Sequence, residues 1–364
     1  MRIERVETIP YALRFREPYV TSRGTLERRE MVLLRLLTDE GAEGLGEAVP
    51  LTLRGGAGRA AVERALGDAA ARLVGLELPV GEGSALELAI ATFLELTRPR
   101  RMPAPAAAAL ECALFDLAAR AEGEPLWRLL GAPQARPVRC NATLTAGQPD
   151  AVARQASAWA EQGFRTFKLK LGTADDAAVV RAVREAVGPD ARIRVDANEA
   201  WSVREAASVL AEIEPYGVEL AEQPVGGLRS LAKLARDTSI PLAADEAVSS
   251  LADAHRARQR RACAYVTAKL AKVGGIGAAK AIAEVIPTYL SSALDGPVGI
   301  AAAAHAAQVI PDPGLDHGLA TQRLFAETVA RRESALEGAL LHPPPGPGLG
   351  VELDPDALRR ARLA

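Results

Sequence analysis

The chain has 364 residues, of which 49% are hydrophobic and 25% charged, and its formal net charge is −2. This length predicts two domains, or one barrel with an accessory domain, and supplies enough apolar residues for a large core. The near balance of charge argues against a nucleic-acid or anionic-membrane partner, and no apolar run is long enough to span a bilayer. Because the N-terminus also lacks a signal-peptide pattern, we expect a cytoplasmic protein, monomeric or homo-oligomeric.

The first 130 residues read as strands followed by helices. Residues 6–15 and 30–38 are strand-like, residues 18–24 form a polar loop, and a turn at 39–41 leads into a returning strand. From residue 58 to about 130 the pattern is helical, with an alanine-rich helix at 106–119. We therefore predict an α+β domain over residues 1–130, which the C-terminal tail, about 340–364, rejoins.

From Val138 onward, short apolar strands alternate with helical segments. The predicted strands are 139–144, 166–170, 192–196, 217–222, 241–245, 265–269, 288–291 and, most weakly, 316–320. A helical pattern occupies each interval between them. Eight successive βα units predict an α/β fold with a (β/α)8 barrel, which we assign to residues 131–339.

Polar side chains end five of the middle strands, each separated from the next by roughly one βα unit. They are Lys170, Asp196, Glu222, Asp245 and Lys269. The C-terminal ends of barrel strands converge on one mouth, where barrel enzymes place their catalytic groups. We therefore expect three carboxylates to meet there, with lysines on either side.

Three carboxylates in one mouth repel each other unless a cation lies between them. A donor set made only of oxygens suits a hard cation, and Mg²⁺ fits best because it accepts few carboxylates and keeps positions for water or substrate. Mn²⁺ is a possible substitute. The sequence thus predicts that Asp196, Glu222 and Asp245 bind Mg²⁺. The alternative is that each carboxylate caps the helix that follows its strand.

Two lysines share one face of a strand, because Lys168 and Lys170 are two residues apart in an apolar run. Only six of the 44 basic residues of the chain are lysines. Lysine can lose its proton, whereas arginine effectively cannot. A lysine at its ordinary pKa of about 10.4 is a poor base, and base catalysis needs a pKa lowered to roughly 7–8. We predict a catalytic role; the alternative is exposed lysines on edge strands.

Together these segments resemble the enolase superfamily, and more narrowly its muconate lactonising enzyme subgroup, over nearly the whole chain. The matching motifs are Lys168-Leu169-Lys170, Asp196-Ala197-Asn198, Glu222-Gln223-Pro224, Asp245-Glu246 and the segment 268–276, Ala-Lys-Leu-Ala-Lys-Val-Gly-Gly-Ile, which contains Lys269. The resemblance implies a modified (β/α)8 TIM barrel with an N-terminal α+β capping domain. It also implies that Lys170 and Lys269 face each other across a small carboxylate substrate, with Lys168 assisting Lys170. The implied chemistry is removal of a proton α to a carboxylate, through an enediolate.

Within the subgroup, residues 290–301 and 317–321 look like the late-strand segments of o-succinylbenzoate synthases of menaquinone synthesis. That likeness implies a lyase, in which proton removal by Lys170 is followed by loss of hydroxide. Dipeptide epimerases usually carry an Asp-x-Asp motif after the eighth strand, and the corresponding segment here, Asp316-His317-Gly318, is a poor match. N-acylamino acid racemase, dipeptide epimerase and muconate-type cycloisomerase remain the alternatives. Candidate substrate contacts, which could equally be ordinary turn residues, are Thr21, Arg23, Asn198, Ser291 and Ser292.

Two other classes of protein could use a lysine-bearing barrel. A Schiff-base aldolase needs a buried lysine but not three carboxylates, and borohydride would trap its substrate. A barrel that only binds a ligand would leave the lysine pair unexplained and would not exchange an α-proton.

Overall fold

The computed structural model describes residues 1–21, 24–52, 55–81, 83–97, 102–172 and 175–363. The first part of the chain forms an antiparallel sheet in the order β1-β2-β3, with helices beside it. These elements are β1 (Ile3–Thr21), β2 (Gly24–Thr38), β3 (Glu43–Ala48), α1 (Arg59–Leu73), α2 (Ala85–Thr97), α3 (Ala104–Ala121) and α4 (Leu126–Leu129). β1 extends through the region expected to be a polar loop, because the β1–β2 hairpin keeps pairing as far as Thr21 and Gly24.

The alanine-rich helix α3 packs directly on β3. Almost all of α3 is buried, and its small side chains let the two backbones approach closely. Gly44 and Gly46 of β3 make this approach possible: a Cβ atom at Gly46 would lie inside van der Waals contact of the Ala109 carbonyl, and one at Gly44 would meet that of Ala113. Direct backbone contact with α3 therefore fixes the position of β3 relative to the helix.

The Gly46→Ala substitution is expected to destabilise the protein by about 3 kcal/mol, because the added methyl group forces β3 and α3 apart. Gly67→Ala is the matched control, since Gly67 lies inside α1 and a Cβ atom there meets nothing within 4 Å. That variant should instead gain about 0.5–1 kcal/mol from helix propensity. Urea unfolding of both variants checks the prediction. Equal stability of the two would contradict the proposed packing.

The second part of the chain builds the barrel. After β4 (Val138–Arg139), the barrel strands are β5 (Ala142–Thr143), β6 (Thr166–Lys170), β7 (Arg192–Asp196), β8 (Val218–Glu222), β9 (Leu242–Ala244), β10 (Tyr265–Ala268) and β11 (Thr288–Leu290). Its helices are α5 (Pro149–Glu161), α6 (Asp176–Val187), α7 (Val203–Ile213), α8 (Gly227–Leu234), α9 (Leu251–Arg260), α10 (Leu270–Val273), α11 (Ile276–Ala283) and α12 (Pro297–Ala306).

The barrel strands form one seven-stranded parallel sheet in the order β11-β10-β9-β8-β7-β6-β5. The expected eighth strand at 316–320 is replaced by two isolated bridges, Cys140 with His317 and Ser291 with Gly318. The His317 ring helps to close this seam, because its Nδ1 atom accepts the Leu290 N–H at 2.9 Å. Arg139 also departs from prediction: it belongs to β4, which pairs with the tail and not with the barrel. The predicted fold class, a modified barrel with an N-terminal capping domain, is confirmed.

The tail consists of short strands and one helix: β12 (Ala330–Arg332), β13 (Ala335–Glu337), β14 (Leu340–His342), β15 (Glu352–Leu353) and α13 (Pro355–Ala361). β14 pairs with β4 and with β13, and β15 pairs with β12. Beyond α13 the Leu363 N–H donates to the Pro10 carbonyl of β1 at 2.9 Å. The tail therefore ends against the first sheet. No helix in the described ranges has the length and apolar character needed to cross a membrane.

Candidate active site

The predicted strand-end residues meet at one mouth of the barrel. Lys170, Asp196 and Glu222 are the last residues of β6, β7 and β8, and the parallel register places them side by side. Asp245 and Lys269 stand one residue beyond β9 and β10. All five side chains are buried. The strand-end prediction thus brings these groups together through register alone.

The lysines and carboxylates form a network of ion pairs in two groups. Lys168 Nζ donates to both oxygens of Glu222 at 2.7 Å and lies 2.9 Å from Asp196 Oδ2. Lys170 Nζ donates to Asp196 Oδ2 at 2.6 Å, and Lys269 Nζ donates to Asp245 Oδ2 at 2.5 Å. Lys168 therefore joins two strand ends, while Lys170 and Lys269 each hold the carboxylate of a different strand.

A fourth lysine, Lys272, belongs to the same network and was not among the predicted site residues. Its Nζ atom donates to Asp245 Oδ1 at 2.8 Å, to the Asp245 carbonyl at 2.5 Å and to the Thr267 carbonyl at 2.8 Å. Lys272 lies in α10, whose N-terminal capping position is Lys269. The scarcity of lysine in the chain was a signal that could have identified it.

Charge pairing in the barrel mouth outweighs desolvation. Burial acts to lower the pKa of Lys168, but the nearby carboxylates of Asp196 and Glu222 raise it well above its usual value. Burial acts to raise the pKa of Asp196, but Lys168 and Lys170 hold it below its usual range. Lys168 and Asp196 are therefore both ionised at neutral pH. Removing either charge would leave an unbalanced charge in the interior.

Several residues at or beside the mouth, among them Asn198 and Gln223, adopt the left-handed backbone region, which few residues other than glycine occupy. Asn198 has φ 48° and Gln223 has φ 37°. Each is held by side-chain hydrogen bonds: Asn198 Oδ1 accepts from Lys170 at 3.0 Å, and Gln223 Oε1 accepts the Asp245 N–H at 2.8 Å. Such strain persists where the surroundings over-determine it, and here it orients groups around the carboxylates.

A pocket opens beside this network between the barrel mouth and the capping domain. Among the described residues it is lined by Tyr19, Arg29, Leu51, Thr143, Lys168, Lys170, Asn198, Lys269, Ser291, Ser292, Ala293, Leu294 and Thr321. Of the predicted substrate contacts, Asn198, Ser291 and Ser292 lie in its wall. Thr21 ends β1, and Arg23 lies outside the described residues. Sequence reasoning missed Arg29, a buried cation on the capping-domain side.

The donor set of the mouth suits a hard divalent cation, because Asp196, Glu222 and Asp245 offer only buried carboxylate oxygens. As the side chains stand, no group of three or more His, Cys, Asp or Glu in the described ranges is arranged to hold a metal, and lysine ammonium groups hold these carboxylates instead. The four ammonium groups exceed the three carboxylates in charge, so a cation would have to displace lysine contacts. The chemistry of the donor set fits Mg²⁺.

Two capping-domain carboxylates bind helices of the barrel. Glu47 of β3 accepts the Gly296 N–H at the start of α12 at 2.7 Å and the Tyr11 hydroxyl at 2.6 Å. Glu111 of α3 accepts the N–H of Ile276 and, at 3.2 Å, that of Gly277 at the start of α11. These helices follow the loops that carry Ser292 and Lys269, so the capping domain holds both loops in place.

The buried carboxyl group of Glu111 should make the stability of the protein depend on pH. Burial raises its pKa to about 7, so the folded state retains a proton that the unfolded state releases from about pH 4.5 upward. Its contribution to stability is therefore lost as pH rises from about 4.5 to 7. The Glu111→Gln variant lacks this titration, so its stability relative to wild type should improve from pH 5 to pH 8 in urea unfolding. A difference that stays constant with pH would contradict the prediction.

Comparison with known proteins places this site in a family. Residues 4–131 match the mandelate racemase/muconate lactonizing enzyme N-terminal domain, and residues 151–357 match the enolase C-terminal domain-like model. The chain therefore belongs to the enolase superfamily and is an enzyme of its mandelate racemase/muconate lactonizing enzyme family.

Relatives within this family differ in activity. The chain is 32% identical over 317 residues to an L-Ala-D/L-Glu epimerase of Bacillus subtilis, covering 84% of each protein. It is 34% identical over 265 residues to a chloromuconate cycloisomerase of Pseudomonas putida, covering 70% of this chain and 72% of the relative. An o-succinylbenzoate synthase of Thermobifida fusca is 36% identical over 222 residues, covering 59% of this chain and 68% of the relative. Isomerases thus match more of the chain than the synthase does.

Solved structures agree with this assignment. A dipeptide epimerase of Cytophaga hutchinsonii, complexed with Mg and D-Ala-L-Val, has a TM-score of 0.90 at 28% identity and covers 99% of this chain and 98% of that one. The muconate lactonizing enzyme of Pseudomonas fluorescens, complexed with muconolactone, has a TM-score of 0.92 at 28% identity, with coverage of 100% and 99%.

Proposed function

We propose that the protein is a Mg²⁺-dependent racemase or epimerase that inverts the carbon α to the carboxylate of an amino-acid derivative. The observation that carries this proposal is the placement of two lysines, Lys170 at the end of β6 and Lys269 just after β10, in the wall of one pocket. Inversion needs one base to remove the α-proton and an acid on the opposite face to return it. The predicted lyase reading is supported less well, because epimerases and cycloisomerases match more of the chain.

The three lysines of the pocket wall and Asn198 each have a role in this reaction. Lys170 and Lys269 alternate as base and acid, depending on which stereoisomer is bound. Lys168 supports Lys170, since a neighbouring positive charge favours the neutral amine. Asn198 holds Lys170 in position through the 3.0 Å contact of its Oδ1 atom. In D₂O the ammonium group of the second lysine carries deuterium, so inversion would introduce deuterium at the α-carbon.

The three carboxylates, Asp196, Glu222 and Asp245, would hold the Mg²⁺. When bound, this cation supplies electrostatic stabilisation of the negative charge that develops on the substrate carboxylate. Carboxylates that held a cation would no longer be committed to Lys170 and Lys269, which would leave both lysines available to the substrate.

The described pocket wall favours an N-acylated substrate or another anion without a free amine. Its charged members are Lys168, Lys170, Lys269 and Arg29, all cationic. A free ammonium group would be repelled by them, whereas an N-acyl group can accept hydrogen bonds from Ser291 or Ser292. We therefore rank N-acylamino acids ahead of free dipeptides as substrates.

The test is NMR in D₂O with EDTA-stripped enzyme, with and without added Mg²⁺. The panel contains N-acylamino acids, dipeptides, a muconate and the cyclohexadiene-carboxylate precursor of o-succinylbenzoate. Mg²⁺-dependent deuterium uptake at the α-carbon with inversion would support the proposal. Dehydration of the precursor alone would restore the lyase reading, and lactone formation alone would identify a cycloisomerase. Trapping of a substrate by borohydride would instead indicate Schiff-base chemistry.

Cycloisomerisation is the second candidate. Its support is the 34% identity to a chloromuconate cycloisomerase together with the cationic pocket, which suits a dicarboxylate. Arg29 on the capping-domain side and the lysines on the barrel side could each bind one end of such a substrate.

A further inference from the structure

A tyrosine inside the barrel donates a hydrogen bond to one of the three carboxylates at the mouth. Tyr289 of β11 is completely buried, and its hydroxyl donates to Glu222 Oε2 at 2.5 Å. Thr267 of β10 donates to the same hydroxyl at 2.7 Å. An ionised carboxylate can only accept, so Tyr289 must give its one proton to Glu222, and Thr267 must donate to Tyr289. The hydrogen-bond chain therefore runs in one direction, from Thr267 through Tyr289 to Glu222.

The ring that carries this hydroxyl is held on both sides. It packs with Leu220, Ala243 and Leu315 in a small apolar cluster within the barrel. The Arg194 guanidinium lies over the ring, 5.3 Å from its centroid. Arg194 is itself held, because its Nε donates to Glu219 Oε2 and its Nη1 donates to the Asp316 carbonyl, both at 2.5 Å. The hydroxyl thus reaches Glu222 from a rigid support.

We infer that Tyr289 is a positioning residue for the cation site: its donated hydrogen bond sets the orientation of the Glu222 carboxylate that binds Mg²⁺. This inference rests on the proposed metal site. Lys168 also holds Glu222, but a cation would have to displace that contact. Without the bond from Tyr289, the cation itself would then have to order the carboxylate, and the free energy of ordering would be lost from binding. The expected effect is on metal affinity first, and on turnover only where the site is not saturated.

The experiment measures Mg²⁺ binding to the EDTA-stripped protein by isothermal titration calorimetry, with Mn²⁺ binding by electron paramagnetic resonance as a second readout. The Tyr289→Phe variant keeps the ring and removes only the hydroxyl. Its dissociation constant for both cations should rise by about 10-fold or more. Tyr265→Phe is the matched control, since Tyr265 packs against the same apolar cluster. Its affinity should stay within about twofold of wild type.

A double-mutant cycle separates positioning from general loosening of the barrel. Thr267→Val should weaken Mg²⁺ binding in the wild-type background and have no effect in the Tyr289→Phe background, because its hydroxyl acts through that of Tyr289. Wild-type affinity in Tyr289→Phe, or equal loss in Tyr265→Phe, would overturn the inference and leave the proposed function standing. Failure of the wild-type protein to bind either cation would overturn both.

Discussion

Lys170→Ala should abolish racemisation while one half of the reaction survives. Turnover should fall by about 10³-fold or more, because general acid–base catalysis contributes that much and the remaining lysine acts on one face only. Lys269 can still remove the α-proton of the stereoisomer that presents it to that side. In D₂O we expect the variant to exchange the α-proton of one stereoisomer without inversion, and Lys269→Ala to exchange that of the other.

The control for this pair is Lys280→Ala, which removes an exposed lysine of α11. Its exchange rates should equal those of wild type. Circular dichroism and Mg²⁺ titration confirm that the two site variants still fold and bind the cation. Unimpaired racemisation by Lys170→Ala would remove Lys170 from the base role. Loss of exchange for both stereoisomers in only one of the two variants would replace the two-lysine scheme by one with a single essential base.

Asp196→Asn should lose both activity and stability. The substitution keeps the volume of the side chain but removes the charge that balances Lys168 and Lys170. Removing one partner from a buried ion pair leaves the other charge uncompensated, at a cost of about 3–5 kcal/mol. The same change removes a proposed Mg²⁺ ligand, so activity should fall by about 10³-fold.

Two measurements separate these effects. Urea unfolding in EDTA reports the ion-pair contribution, since no cation is present, and Mg²⁺ titration of the folded variant reports the ligand role. Asp190→Asn, at an exposed position, should leave both unchanged. A variant as stable as wild type in EDTA would contradict the electrostatic account of the mouth. A variant with unchanged Mg²⁺ affinity would remove Asp196 from the ligand set.

The strand-end residues could be predicted from the sequence because their arrangement depends on local order. Parallel strands in sequence bring their ends to one edge, so the spacing of Lys170, Asp196 and Glu222 was sufficient to place them together. Tyr289 gave no such signal: it is one tyrosine in an apolar strand, and its partner Glu222 comes from a strand three places away in the sheet. Arg29 reaches the pocket only through the docking of the capping domain.

The eighth strand was overpredicted for a related reason. Residues 316–320 carry a weak apolar pattern, but His317 and Gly318 contribute only isolated bridges to the seam. The Leu290 N–H donates to the His317 side chain and not to the backbone of a neighbouring strand. Strand periodicity in the sequence cannot show that a side chain takes the place of a backbone acceptor. The lyase reading is less well supported than the isomerase alternatives for a different reason: the late-strand segment resembles o-succinylbenzoate synthases, but a short segment carries less weight than similarity along most of the chain.

The carboxylates of Glu47 and Glu111 limit how this enzyme can be re-engineered. A natural way to change its selectivity is to graft the capping domain of a relative onto this barrel, since the cap supplies one wall of the pocket. Such a chimaera would inherit the loops after β10 and β11 without their anchors unless the donor also carried acceptors at these two places. Two buried glutamates of the cap would then determine whether an exchanged cap yields an active enzyme or a folded but misaligned one.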